Sequence, residues 1–390
     1  MTYKYIVVGA GLAGVTIAER IANELNEQVL IIEKRNHIGG NVYDYYDEQG
    51  ILIHKYGPHI FHTNNKKVWD YLSQFTDWKE YQHKVLGCVD GQLAPIPFNL
   101  NTIDKLFPTD MATRYTNKLI QMFGYGAKIP ILELNKTEDI ELKLLAQYIY
   151  EKVFLNYSTK QWGGAPDKVD DAVTARVPIH ISKDDRYFQN SYQGMPIYGY
   201  TKMVENILSN DKIKIMLQTE FKEIIRFDEN GIKIFGNAFD GIIVHTGNVD
   251  EFFNYAFGEL EYRSTKFDFE YIQEQYYQSV ATVNYPNNYD FTRITEFKHM
   301  TGQKNVYGTT ILREYPQAYE RNTVGKDVPM YPVLDDVNQE LYKRYEQETK
   351  KYNNIFFVGR LAEYMYYDMD AVIAKALHTF ENIREINIEQ

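Results

Sequence analysis

A chain of 390 residues exceeds what one hydrophobic core ordinarily organises, so two or three domains are expected. Hydrophobic residues at 44% and charged residues at 24% give the balance of a soluble globular protein, and no apolar run approaches the ~20 residues that span a bilayer. The net charge of −11 argues against nucleic acid or anionic membrane as a partner, and the single cysteine, Cys88, excludes an internal disulfide and any multi-cysteine metal site.

The first predicted element is a buried strand at Tyr3 to Gly9, a short β-branched run ended by glycine. It follows Met1 so closely that no signal peptide fits ahead of it, which predicts a cytoplasmic protein. Val15 to Leu25 carries Ile17, Ala18, Ile21, Ala22 and Leu25 at helical spacing, and Val29 to Glu33 reads as a second buried strand. Together they make a βαβ unit with a parallel pair. Between strand and helix lies Gly9-Ala-Gly11-Leu12-Ala-Gly14, a G-x-G-x-x-G turn. Gly9 would make the tight turn, Gly11 would let the backbone approach a pyrophosphate, and Gly14 would let helix and strand pack closely. Glu33 would accept hydrogen bonds from ribose hydroxyls and disfavour a 2′-phosphate, so NADP is not expected.

Residues 101 to 160 read as largely helical, with helices over Leu119–Phe123 and Ile140–Phe154 and acidic caps at Glu138 and Asp139. The small, polar stretch Gly163 to Asp171 predicts an exposed loop. A helix at Met203–Leu208 precedes a strand at Ile213–Leu217, and residues 276 to 315 are β-rich. The chain closes with a helix around Val337–Tyr352, a strand at Ile355–Val358, and a helix from about Asp370. That ending returns to the pattern of the first domain and predicts a discontinuous architecture.

Gly39-Gly40, soon after Glu33-Lys34, resembles the extended fingerprint of FAD proteins of the amine-oxidase and glutathione-reductase type. Phe357-Val-Gly359-Arg360, followed by Asp368 and Asp370, resembles their second FAD segment. FAD is therefore expected rather than NAD.

Further tracts carry a more specific resemblance: Tyr56-Gly-Pro-His59-Ile60-Phe-His62-Thr, Lys160-Gln-Trp162-Gly, Tyr187-Phe188 with Gln193-Gly-Met-Pro196, Thr292-Arg293-Ile-Thr-Glu296, and Arg360 through Tyr366-Tyr-Asp368-Met369-Asp370. In order and spacing they resemble the bacterial-type UDP-galactopyranose mutase family, from Tyr5 to about Ile383. The resemblance implies an α/β protein in three parts. A discontinuous Rossmann-like FAD-binding domain would span 1–82, 195–250 and 333–390. An inserted helical domain with a mobile substrate loop would span 100–182, and an antiparallel β-sheet substrate domain 83–99, 183–194 and 251–332. It implies isomerisation of UDP-galactopyranose to UDP-galactofuranose for cell-surface glycan biosynthesis, with N5 of reduced FAD attacking the anomeric carbon to give a covalent flavin–sugar adduct. It also implies a homodimer.

By the same resemblance, Arg176 and Arg293 grip the diphosphate, and Trp162 belongs to a loop that closes over substrate and brings Arg176 inward. Tyr157, Tyr187 and Phe188 contact uridine and substrate, Tyr331 and Tyr366 the diphosphate, and Asn284 and Asp368 join the substrate side. Gly9, Gly11, Leu12, Gly14, Glu33, Lys34, Gly40, Asn41, His59, Ile60, Gly359, Arg360, Asp368 and Met369 would hold the cofactor. His59 and His62 would lie beside the isoalloxazine; their spacing also suits a metal pair, but no third ligand is evident. For any one of the 34 tyrosines, core packing is the competing role. The chain departs from the family at Val153-Phe154, where two aromatics often stand in succession, and over Asn117 to Glu138. The rivals are an amine-oxidase-like flavin oxidoreductase, a mutase acting on an N-acetylated sugar nucleotide, and a non-enzymatic flavoprotein.

Overall fold

Tyr5–Val8 forms the centre of a five-stranded sheet whose order is Ile213–Met216, Val29–Ile32, Tyr5–Val8, Ile242–His245, Ile355–Phe357, with every neighbouring pair parallel. The computed structural model describes residues 3–163, 178–228 and 231–389. A parallel sheet needs cover on both faces, which is why these strands are continuous apolar runs rather than alternating ones. Tyr5, Val7 and Ile31 pack into one core with Val15, Ile17 and the closing-helix residues Ile373 and Phe380. Ile6, Val8, Leu30 and Ile32 pack on the other side with Phe221, Phe252 and Ile355. The expected α/β, Rossmann-like organisation is what the chain adopts.

Boundaries moved by small amounts. The first helix starts at Leu12, runs to Arg20 and continues as a wider π-helical turn, Ile21–Leu25, which Asn26 ends in the left-handed region. Asn tolerates that conformation better than most residues, so it stops the helix. The closing helix spans Met369–Glu389 and packs across the first one.

A second, seven-stranded sheet has the order Tyr331–Pro332, Tyr262–Ile272, Thr309–Ala318, Arg293–Glu296, Thr282–Asn284, Val85–Val89, Gln92–Ile96. It is not wholly antiparallel, as had been expected: Thr282–Asn284 pairs parallel with Val85–Val89. Those two strands come from distant parts of the chain, so no hairpin dictates their relative direction. Nor does the segment 183–194 supply a strand to this sheet. Tyr192–Pro196 pairs instead with Phe61–Thr63 and Trp78–Glu80 in a small sheet of its own.

The helices Leu100–Leu106, Thr109–Phe123, Ile131–Asn135 and Ile140–Ile149 share a separate core built from Ile103, Leu119, Leu134, Leu142 and Ile149. Capping of the last of these falls to Asp139, whose carboxylate accepts from the N–H groups of Glu141 and Leu142. The single helix expected over Ile140–Phe154 is interrupted. A π-helical turn at Tyr150–Leu155 follows Ile149, and a short helix, Asn156–Trp162, comes next. Most of the expected loop Gly163–Asp171, together with Arg176, lies outside the described residues.

Candidate active site

The glycine-rich turn opens a cavity lined by Gly9, Gly11, Leu12, Glu33, Lys34, Asn41, His59, Gly359, Arg360 and Met369, among others. Two of the glycines are required by space. A Cβ on Gly9, which has φ of +104°, would stand 2.2 Å from Thr246 Oγ1, and one on Gly14 would stand 2.0 Å from the Gly9 carbonyl. Gly14 and Gly40 are not cavity residues; they act by packing, Gly40 against Gly11. Gly11 caps the first helix without a side-chain bond, so the N–H groups of its first turn are available to an anionic ligand.

Glu33, expected to hold ribose hydroxyls, is also a strut of the turn: its Oε2 accepts from Ala10 N at 2.8 Å and its Oε1 from Arg35 N at 2.8 Å. A carboxylate has further lone pairs, so the two roles are compatible. Arg35 was missed. Its Nη2 donates to Asn41 Oδ1 at 3.0 Å, and it stacks on Tyr56 with the guanidinium 4.5 Å from the ring centroid. Arg35 Nη1, His245 Nδ1 and Asn248 Nδ2 are buried atoms in residues lining this cavity, and none has a partner among the described residues. Buried polar atoms rarely stay unpaired. A bound dinucleotide would answer both the bare glycine turn and these three atoms, so the residues fit the expected cofactor.

A second cavity, about 560 Å³, meets the first at His59, Met330, Arg360 and Met369. It gathers His62, Tyr157, Tyr187, Phe188, Asn284, Arg293, Tyr331, Tyr366 and Asp368. Ile60 and Asp368, expected at the cofactor, line this second cavity rather than the first. One wall is the large sheet. Gly87 opposes Asn284, Asn284 opposes Arg293, Arg293 opposes Glu314, and Glu314 opposes Phe267, so the polar groups Asn284, Arg293 and Glu314 stand in one row on the three middle strands. Another wall is the end of the π-helical turn and the helix after it, where Phe154, Tyr157, Ser158 and Gln161 share a face at three- and four-residue spacings. Ser158 and Gln161 could have been found from that spacing.

Arg293, expected at the diphosphate, is held by a carboxylate. Its Nε donates to Glu314 Oε1 at 2.7 Å and its Nη2 to Oε2 at 2.8 Å. Burial opposes its charge, but the Glu314 carboxylate, together with Tyr157 and Tyr331, outweighs burial and holds the guanidinium's pKa well above its usual value. The bidentate pair fixes the plane of the guanidinium and leaves Nη1 outside it. Arg360 bonds the carbonyls of Tyr367 and Met330 and lies over Tyr331, which stacks on Tyr366 with centroids 5.7 Å apart. Among the described residues of this cavity, then, the two arginines, Arg293 and Arg360, face the two carboxylates of Glu314 and Asp368.

The histidines differ from one another. His59 Nδ1 lies 2.8 Å from the Gly57 carbonyl, which can only accept, so the proton sits on Nδ1 and Nε2 is bare. Burial, aided by His54 and two arginines, pulls its pKa down to about 3. His62 stacks on Phe188 at 3.6 Å and bonds Asn190 Oδ1 at 3.1 Å; burial lowers its pKa, with Asp368 opposing. His83, not foreseen, joins Tyr81 at 3.1 Å, and burial brings it to about 3. All three rings are neutral at neutral pH. Burial likewise raises the hydroxyls of Tyr157, Tyr187 and Tyr366 above the usual phenol range. Trp162 ends its helix and its side chain lies outside the described residues, as does Arg176.

Residues 152–366 match the family model for UDP-galactopyranose mutase, and residues 7–75 match that for NAD(P)-binding Rossmann-like domains. A Klebsiella pneumoniae protein named "Probable UDP-galactopyranose mutase" is 36% identical over 96% of this chain and 93% of its own. The chain belongs to the UDP-galactopyranose mutase family. An Escherichia coli protein named "dTDP-fucopyranose mutase" is 34% identical over 96% of both chains. The fold matches the crystal structure of a reduced UDP-galactopyranose mutase with a TM-score of 0.75, at 16% identity, over 99% of this chain and 96% of that one.

Proposed function

We propose that this protein interconverts UDP-galactopyranose and UDP-galactofuranose with bound reduced FAD, supplying furanose units for cell-surface glycans, and that it works in the cytoplasm as a homodimer. The observation that carries the reading is the junction at His59, Met330, Arg360 and Met369, where a dinucleotide cradle opens directly into a cavity lined by arginine, tyrosine and neutral histidine. Reduced flavin would supply an electron-rich nitrogen able to displace a nucleoside diphosphate from an anomeric carbon.

The protein's own work is to hold the departing diphosphate and the sugar. Arg293, fixed in its plane by Glu314, is suited to receive phosphate charge as it develops. The stacked Tyr331 and Tyr366 line the same cavity, and neutral His59 presents an acceptor at Nε2 rather than a competing cation. With the described arginines balanced by carboxylates, a dianionic diphosphate calls for further positive charge, the part assigned to Arg176 on the loop that carries Trp162. Closure of that loop would keep water from the reacting sugar.

The test is to incubate dithionite-reduced protein with UDP-galactofuranose and follow UDP-galactopyranose by chromatography. Absence of conversion with the flavin bound and reduced would end the reading. A second reading follows from the Escherichia coli relative: dTDP-fucopyranose differs in its base, its deoxyribose and its missing 6-hydroxyl. Comparing kcat/KM for the two sugar nucleotides in the same assay separates them.

A further inference from the structure

The strands that end at Asn284 and begin at Arg293 are joined by residues 285–292, and this connector folds around a charge that belongs to another element. The carbonyl oxygens of Tyr285, Asn287, Tyr289 and Phe291 converge on the ammonium of Lys160, at 2.5, 3.1, 3.1 and 3.1 Å. Every second residue thus turns its oxygen inward. The rings of Tyr285, Tyr289 and Phe291 pack on one another, with centroids 4.8 to 5.5 Å apart. Oxygens so arranged repel one another unless a cation stands between them, as in carbonyl-lined ion sites. Lysine suits the place, being a compact charge with three rotatable donors. Burial brings its pKa down to about 8, with Asp290 opposing, so the group is charged at neutral pH.

Lys160 lines neither cavity, yet the elements it joins do. Its own helix carries Tyr157, Ser158 and Gln161 on the wall of the second cavity. On the other side, Asn284 immediately precedes the first of the four carbonyls, and Arg293 follows the last by two residues. Asn284 and Arg293 face each other across the strand pair, which the Tyr285 N–H extends by donating to the Thr292 carbonyl at 2.8 Å. Tyr157 is near enough for the charge of Arg293 to act on its phenol. The end of the helix is fixed separately by Arg263, whose Nε donates to the Gln161 carbonyl at 3.3 Å. The ammonium therefore sets one relation in particular, that between the helix wall and the Asn284–Arg293 pair.

We propose that Lys160 is a positioning residue for the reaction: its ammonium clamps the connector 285–292 to the helix Asn156–Trp162 and so holds Asn284 and Arg293 in place opposite Tyr157 for a nucleoside diphosphate sugar. The proposal rests on the reading of the second cavity given above. A displacement of about 1 Å in such an arrangement can cost roughly a hundredfold in rate.

The test uses the flavin-loaded, dithionite-reduced full chain. Lys160→Met keeps the length of the side chain and removes its charge, whereas Lys160→Ala leaves room for an added amine. Both should keep their flavin. In both, UDP should bind roughly tenfold more weakly by calorimetry, and kcat with UDP-galactofuranose should fall roughly tenfold to a hundredfold. n-Propylammonium, which replaces the atoms lost in Lys160→Ala, should restore most of each loss in that variant. It should do nothing for Lys160→Met, whose own side chain occupies the space. Tetramethylammonium at equal ionic strength has no N–H to offer the carbonyls and should restore nothing. The proposal is overturned by unchanged UDP affinity and kcat in the variants, by losses that propylammonium does not restore, or by equal restoration with tetramethylammonium. If Lys160→Ala fails to fold, Lys160→Met decides: weaker UDP binding at a retained unfolding midpoint supports the clamp. Unchanged affinity, or a loss that only follows a lowered midpoint, overturns it. A wild type that converts no sugar, while Lys160→Met still loses UDP affinity, would end the assigned reaction and leave the clamp standing.

Discussion

The two adjoining cavities are built in different ways. The dinucleotide cradle is written in short contiguous tracts: stretches within Gly9 to Ala13, Glu33 to Asn41, and Gly359 to Leu361 supply much of its lining. The second cavity draws single residues from far-separated strands, and its polar row Asn284–Arg293–Glu314 exists only once three strands are in register. The cradle is a local feature that folds with its βαβ unit. The second cavity is a long-range feature, and its chemistry depends on sheet register.

The largest effect should come from breaking the local feature. Gly14→Val would drive a side chain into the Gly9 carbonyl, already 2.0 Å from the position of a Cβ. Purified protein should be colourless, without flavin absorbance, and inactive. A yellow, active variant would remove the cradle from the argument. The long-range feature predicts a different outcome. Arg293→Ala should keep its colour, and turnover should fall by roughly a hundred- to a thousandfold, the cost of one preorganised charge-stabilising donor. Unchanged turnover would show that this arginine does not meet the leaving diphosphate.

The same contrast explains what was legible in the sequence. The glycine turn with Glu33, the parallel strands and the closing helix follow from periodicity and from a turn whose mechanics demand glycine, while Gly39, Gly40, Gly359 and Arg360 came from resemblance to FAD proteins. Arg293 and Asn284 were reached only through family resemblance, and Glu314 not at all. Nothing local distinguishes Glu314 in the strand Thr309–Ala318; its role comes from standing opposite Arg293. His83 was missed for a related reason, since its surroundings, Tyr187 and Phe188, lie about a hundred residues away in the chain. The π-helical turn at Tyr150–Leu155 was read as unbroken helix because its residues keep an apolar pattern. That turn sits directly before the face that carries Tyr157 and Gln161.

A smaller effect is expected from Glu314→Gln, which keeps the shape of the pair and removes its charge. The cavity would gain net positive charge, so UDP should bind more tightly. The guanidinium would lose one charge-assisted bond and its fixed plane, so kcat should fall roughly tenfold. Measuring UDP affinity and kcat together separates these consequences. A parallel loss of both would mean that Glu314 only supports the fold.

The smallest effect concerns His54, which ties the two cavities through the turn at their junction. Its Nδ1 accepts from the backbone N–H of His59 at 3.0 Å, so that nitrogen must be unprotonated. The ring is 1% exposed, and burial brings its pKa down to about 3. In the unfolded chain its pKa returns to about 6.5, so below that pH the unfolded state takes up a proton that the folded state refuses. The stabilisation is complete above pH 6.5 and is lost as pH falls toward 3, at about 1.4 kcal/mol per pH unit for this one group. Urea unfolding between pH 7 and 5 should show His54→Asn with a shallower loss than wild type by about that slope, because an amide oxygen can accept the same N–H without titrating. Parallel slopes for the two proteins would mean that His54 is protonated in the folded state, and that the turn carrying His59 is held by other bonds.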